Sequence, residues 1–145
     1  MIWTLKVECL CGWYLEDDCV RVIEIDSHDT LFDLHQAILR SVNFGEDHGF
    51  EFYAGRNFKN RKLQFDQSSP IENSNSVYYD TLIEQVYPLP KSLRLFYHFD
   101  FGDNWYFGIS RSRSKPTEPE PGVIYPRVVE HIGQNPLQYG SPCED

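Results

Sequence analysis

From residue 4 to 11 the chain alternates, with Leu5, Val7, Cys9 and Cys11 to one side and Lys6 and Glu8 to the other. A period of two predicts a half-buried strand and puts Cys9 and Cys11 on one face. Residues 13–18 lose the alternation and end in Glu16, Asp17 and Asp18, which predicts a solvated connection. Residues 20–25 are rich in β-branched side chains and predict a second strand. The period then lengthens to that of a helix. Leu31, Leu34, Ile38 and Val42 form one stripe, Thr30 is an N-cap with Asp33 three residues on, and Gly45 supplies a stop. Phe50, Phe52 and Ala54 alternate toward Gly55 in a third strand, with 63–65 as a short partner strand. Residues 66–76 are a polar, breaker-rich loop. A short helix is predicted over 82–87, capped by Asp80 or Thr81 and stopped by Pro88 and Pro90.

The last pair of strands lies in FYHFDFGDNWYFGI, residues 96–109, where seven of fourteen residues are Phe, Tyr or Trp. A three-residue loop, Gly102-Asp103-Asn104, would pair Phe101 with Trp105, Phe99 with Phe107 and Tyr97 with Ile109. That register gathers the large apolar residues on one face, and it asks Asn104 to take a left-handed conformation that asparagine tolerates. His98, Asp100 and Tyr106 then share the opposite face, beside a gap at Gly108. Residues 115–122 are Pro-rich and predict an extended connection. The pattern as a whole predicts a single α+β domain over 1–145. One main helix packs on one face of a mixed or mainly antiparallel sheet in a β-grasp or roll-like layout, with a short second helix and an aromatic C-terminal hairpin.

Composition narrows the function classes. Hydrophobic residues are 41% of the chain and aromatic residues 15%, which excludes a disordered protein. No apolar run is long enough to span a membrane, and no basic-then-apolar leader opens the chain, so a cytoplasmic protein is expected. Four cysteines without an export signal predict free, mostly buried thiols. A zinc site from Cys9, Cys11, Cys19 and a histidine would lack the usual two-residue ligand spacing, so neither metal nor cofactor is expected. The net charge of −9 opposes general nucleic-acid binding. Yet Arg56, Lys59, Arg61 and Lys62 form one basic cluster and Arg111, Arg113 and Lys115 another, together seven of the 13 basic residues. Solvated loop and strand-end charges explain them more simply than a binding patch.

Two constellations have chemical potential. His98, Asp100 and Tyr106 could bind a ligand or move a proton, and His35, Asp47 and His48 could converge at the end of the main helix. Each has a structural explanation too: Asp100 accepting turn amides, His98 and Tyr106 as a cross-strand pair, His35 as a packed border residue. No nucleophile elbow, zinc-protease helix, phosphate-binding glycine loop or paired C-x-x-C accompanies them.

The segment LRLFYHFDFGDNWYFGI resembles the D-F-G-D-G-W segment of the plasmid pRi ORF-3-like family, also described as insertion-element passenger proteins. DTLFDLHQAILRSVNFGEDHGFEF is similar to that family's helix with Leu-His followed by Asp-His-x-x-Glu-Phe, and YPRVVEHIGQNPLQYG to its Tyr-Pro-Arg and Pro-x-Gln-Tyr segments. The signature falls on Leu34, His35, Asp47, His48, Glu51, Phe52, Asp100, Phe101, Gly102, Asp103, Trp105, Tyr125, Pro126 and Arg127. Asn104 stands where the family commonly has glycine, and EDDCVRVIEI replaces its Pro-x-Trp-Arg-Arg. The resemblance implies a genetic association with plasmids and mobile elements, and no particular reaction. A non-catalytic binding or adaptor module with a protein partner therefore ranks first. A nucleic-acid-associated accessory protein, using residues 56–62 and 111–115, and an enzyme of unknown class follow it.

Overall fold

The alternating N-terminus forms β1 (Ile2–Cys11), which pairs antiparallel with β2 (Val20–Asp26). The computed structural model describes residues 1–65 and 80–139. The helical stripe follows as α1 (Leu31–Ser41), then β3 (Phe50–Gly55), β4 (Leu63–Gln64), a short α2 (Ile83–Val86), β5 (Arg94–Phe99), β6 (Trp105–Arg111) and β7 (Arg127–Ile132). All seven strands join one sheet in the order β4-β3-β5-β6-β1-β2-β7. Every pairing between them is antiparallel.

α1 begins with a capping box: the Thr30 hydroxyl accepts the Asp33 amide, and the Asp33 carboxylate accepts the Thr30 amide. Leu31, Leu34 and Ile38 are buried against the sheet with Leu5, Ile23, Ile25, Phe52 and Tyr97. The helix stops before Gly45. Val42 is the C-cap and Asn43 takes the left-handed turn at φ 60, which its short polar side chain tolerates. α2 starts from Leu82 and not from Asp80 or Thr81, because Gln85 Oε1 accepts the Leu82 amide at 2.8 Å.

Arg21 is buried on the core face of β2, in register with Val7. Its Nε donates to the Ser41 carbonyl at 2.9 Å, in the last turn of α1, and its Nη2 donates to Asn135 Oδ1 at 2.7 Å. A cation at this helix end faces the negative pole of the peptide dipoles and ties the helix to the chain beyond β7.

Further expectations change. The β5–β6 register pairs Tyr97 with Phe107 and Phe99 with Trp105, so the loop runs over 100–104 and the pairing of Phe101 with Trp105 does not form. Face assignments survive because the shift is two residues, except that Phe101 leaves the core and is 56% exposed. A bulge at Leu10 sets Cys9 opposite Phe107 on the core face and Cys11 opposite Tyr106 on the other, so the two thiols do not share a face. β7 has no counterpart among the predicted strands. The predicted loop 66–76 and Cys143 lie outside the described residues, where Cys9, Cys11 and Cys19 are free thiols.

Candidate functional site

The loop after Phe99 turns on two left-handed residues, Asp100 at φ 63 and Asn104 at φ 56. Asp100 Oδ1 accepts the amides of Gly102 at 3.0 Å and Asp103 at 3.2 Å, the turn-stabilising role foreseen for it. Its own amide donates to the Gly49 carbonyl at 2.9 Å, joining the hairpin tip to the start of β3. Asp100 Oδ2 lies 3.4 Å from His48 Nε2. Asp100 therefore partners His48, a pairing that sequence spacing did not suggest.

His48 belongs to a clasp. Its Nε2 lies 2.9 Å from the Tyr139 hydroxyl, which donates to Asp47 Oδ2 at 2.7 Å, and Gln138 Oε1 accepts the Gly45 amide at 2.8 Å. The Tyr139 hydrogen bond leads the causes that hold the Asp47 carboxyl below its ordinary range. Two motif segments that lie 91 residues apart, Asp-His and Gln-Tyr, thus lock the end of the chain's described part onto the turn after α1.

His98 sits on the sheet face away from α1, in a cross-strand row Glu51, His98, Tyr106, Cys11. Both ring nitrogens have partners: Nδ1 meets Glu51 Oε2 at 2.7 Å and Nε2 meets Asn104 Oδ1 at 2.9 Å. Tyr106 stacks on the imidazole with ring centroids 4.2 Å apart, and Phe58 covers Tyr106. Arg61 reaches across the Tyr53 ring to Glu51 at 2.8 Å. Burial, the largest single influence, pushes the Glu51 carboxyl up, but the hydrogen bonds from His98 and Arg61 outweigh it and hold the group at about 2.

His35 is in the core. Its Nδ1 meets the Tyr97 hydroxyl at 2.5 Å, and its ring stacks on Phe50 at 3.7 Å. Burial lowers its pKa to about 4, so the imidazole is neutral at pH 7. The candidate residues therefore fall into three groups: His35 inside, His48 with Asp47 and Asp100 at the sheet end, and His98 with Tyr106 on the outer face. Among the described residues no three His, Cys, Asp or Glu side chains are placed to hold a metal.

The gap at Gly108 is filled. A Cβ there would lie 2.6 Å from Arg94 Cζ, so the missing side chain gives the Arg94 guanidinium its seat, from which Nη2 donates to Glu8 at 3.3 Å. Beyond this point β5 and β6 part. Their pairing ends at Leu95 and Ile109, while β6 continues to Arg111 alongside β1. The parting opens a groove of about 430 Å³ between the end of β6 and the segment after α2. Lys91, Arg94 and Arg111 line it and no carboxylate does. The Arg111 guanidinium lies 3.6 Å over the Trp3 ring and forms no ion pair among the described residues. Ser92, at the lip, is left-handed at φ 71.

Of the predicted basic residues, only Arg111 reaches this groove. Arg56, Lys59 and Lys62 are exposed in the turn between β3 and β4, Arg61 is taken by Glu51, and Arg113 is exposed past β6. Lys91 and Arg94 were missed because each is a single charge in an apolar context, and only the parting of two strands brings them together.

A family model described as plasmid pRiA4b ORF-3-like protein matches residues 5–138. The crystal structure of a Methanosarcina mazei Go1 protein of unknown function, MM3350, superposes with a TM-score of 0.69 at 20% identity, covering 92% of this chain and 70% of that one. That likeness shows the fold. No curated protein matches the chain.

Proposed function

The chain belongs to the plasmid pRiA4b ORF-3-like family, and we propose from that premise that it is a non-catalytic binding or adaptor module with a protein partner. One observation carries the reading: the polar signature residues are engaged with one another and with the backbone. His98 spends both ring nitrogens on Glu51 and Asn104, and His35 is buried against Tyr97 and Phe50. Asp100 accepts the amides of its own turn, and Asp47 and His48 hold Tyr139. A general acid or base needs a lone pair or proton within reach of substrate, and these groups are committed to the fold. The groove where β5 and β6 part, by contrast, presents two cations, Lys91 and Arg111, without acidic partners among the described residues, in a chain of net charge −9.

The protein works in the cytoplasm on this reading, and its association with mobile elements is one of genetic setting. Affinity capture from native lysate tests it, using the wild type, the paired groove variant Lys91→Glu with Arg111→Glu, and His48→Gln. A partner retained by the wild type and by His48→Gln, and lost from the groove pair, supports the assignment. A partner lost from His48→Gln alone would overturn it. Nucleic-acid binding stays second, favoured by the groove's charge and opposed by the acidic whole.

A further inference from the structure

The groove between β5 and β6 is made of donors. Besides its three cations, two polar atoms in its lining residues are buried without a partner among the described residues: the Tyr87 hydroxyl and Arg94 Nε. Buried polar groups in folded proteins are nearly always satisfied, so these two donors would gain from an acceptor that a small side-chain movement brings within reach. Tyr87 reaches the site from the end of α2 and packs edge-on to Trp3 with centroids 6.0 Å apart, while Arg111 covers another part of the same indole. Arg94 Nε, the Arg111 guanidinium and the Lys91 ammonium can only donate. A ligand that satisfies them must bring acceptors, and an oxyanion brings several with the complementary charge.

We propose that this groove binds an acidic side chain, a carboxylate or a phosphate, presented by an extended peptide segment of the partner. It rests on the binding reading above and names the chemistry of that same site. Three features favour a peptide over a nucleic acid. The groove is short, about 430 Å³, which suits one or two side chains and not a run of phosphates. Its walls include Leu89, Leu93 and Ile109, apolar surface that a peptide's neighbouring side chains would cover. And the net charge of −9 repels a polyanion at long range, while a single carboxylate or phosphate held inside the groove meets only its cations. Glu8 already engages one amino group of Arg94 and holds that side chain in place, while Arg111 and Lys91 supply the uncompensated charge.

The test is an NMR titration of the full ¹⁵N-labelled protein at constant ionic strength, following the Trp3 indole and the Arg94 and Arg111 Nε–H signals. The probes are one short leucine-flanked peptide with glutamate at its centre, its phosphoserine and glutamine counterparts, and a short oligothymidylate. The proposal expects the glutamate or phosphoserine peptide to shift all three signals and the glutamine peptide to leave them in place; the stronger of the two identifies the oxyanion. Arg111→Gln, at an exposed position that leaves the core intact, should weaken binding by about tenfold or more. Tyr87→Phe should fold at least as stably as the wild type, since it deletes an unpaired hydroxyl, yet bind the anionic peptide more weakly. Equal shifts with the glutamine peptide, no shift with any peptide, or tighter binding of the oligothymidylate would each overturn the proposal. Such a failure would leave the non-catalytic reading in place, because that reading rests on the histidine and aspartate contacts and not on the groove.

Discussion

Glu51→Gln removes one negative charge from beneath His98 and Arg61 while preserving shape. Glu51 is held at about 2 against an ordinary value of 4.5. A depressed carboxyl stabilises the fold above its unfolded pKa, and that contribution is lost as pH falls through the folded value. At about 1.4 kcal/mol per pH unit the difference amounts to about 3 kcal/mol at neutral pH, which partial exposure trims to about 2–3 kcal/mol. By linkage it falls below about 1 kcal/mol near pH 2.5. Urea unfolding of the wild type and Glu51→Gln at a series of pH values from 7 downward measures it. The variant should be less stable at pH 7, and the two curves should converge as pH drops from about 4.5 toward 2. A deficit that is pH-independent, or below about 0.5 kcal/mol at pH 7, would refute the claim that charge on Glu51 organises this face.

His35 gives a second pH signature: its pKa is lowered to about 4, so the unfolded chain binds the proton first and stability should fall as pH drops from about 6.5 toward 4, a slope that His35→Gln should flatten. A ring titrating near 6.5 by NMR would contradict its burial. Gly12→Ala should cost about 1–3 kcal/mol or more in denaturant unfolding, because the added Cβ would meet Trp105 Cε3 at 2.1 Å and that indole is fully buried; a neutral effect would sink the packing account. Tyr139→Phe should speed hydrogen exchange at the Gly45 amide while changing global stability by no more than about 1 kcal/mol, since only the clasp opens. Unchanged exchange at Gly45 would show that the clasp does not hold the segment.

The pattern of polar and apolar positions was enough for the sheet-and-helix class, because burial on one face imposes a period that the chain displays. Thr30 and Asp33 announced the start of α1, and Asn104 announced a left-handed turn, since both effects are local. What could not be read depends on distant neighbours. Asp100 also takes a left-handed conformation, which lengthens the loop and expels Phe101, and no local residue signals that choice. β7 was missed because its outer residues are exposed at the sheet edge, so Val128, Val129 and Ile132 lack the alternation a half-buried strand would show. Arg21 reads as a surface charge until the end of α1 is placed over it. The clasp was visible only as two separate motifs, Asp47-His48 and Gln138-Tyr139, with nothing in either to show that they meet. The groove was invisible for the same reason, since Lys91, Arg94 and Arg111 become neighbours only where β5 leaves β6.

The central claim is that the polar signature residues hold the fold and do not perform chemistry. Denaturant unfolding of His98→Ala and Asp100→Ala at neutral pH tests it most directly. The account predicts that each loses about 1–3 kcal/mol, since His98→Ala removes the imidazole that links Glu51 to Asn104 Oδ1, leaving Glu51 to Arg61 alone, and Asp100→Ala forfeits two turn amides and a tolerated left-handed residue. Catalytic groups are commonly kept at a cost to stability, so variants as stable as the wild type, or more stable, would contradict it.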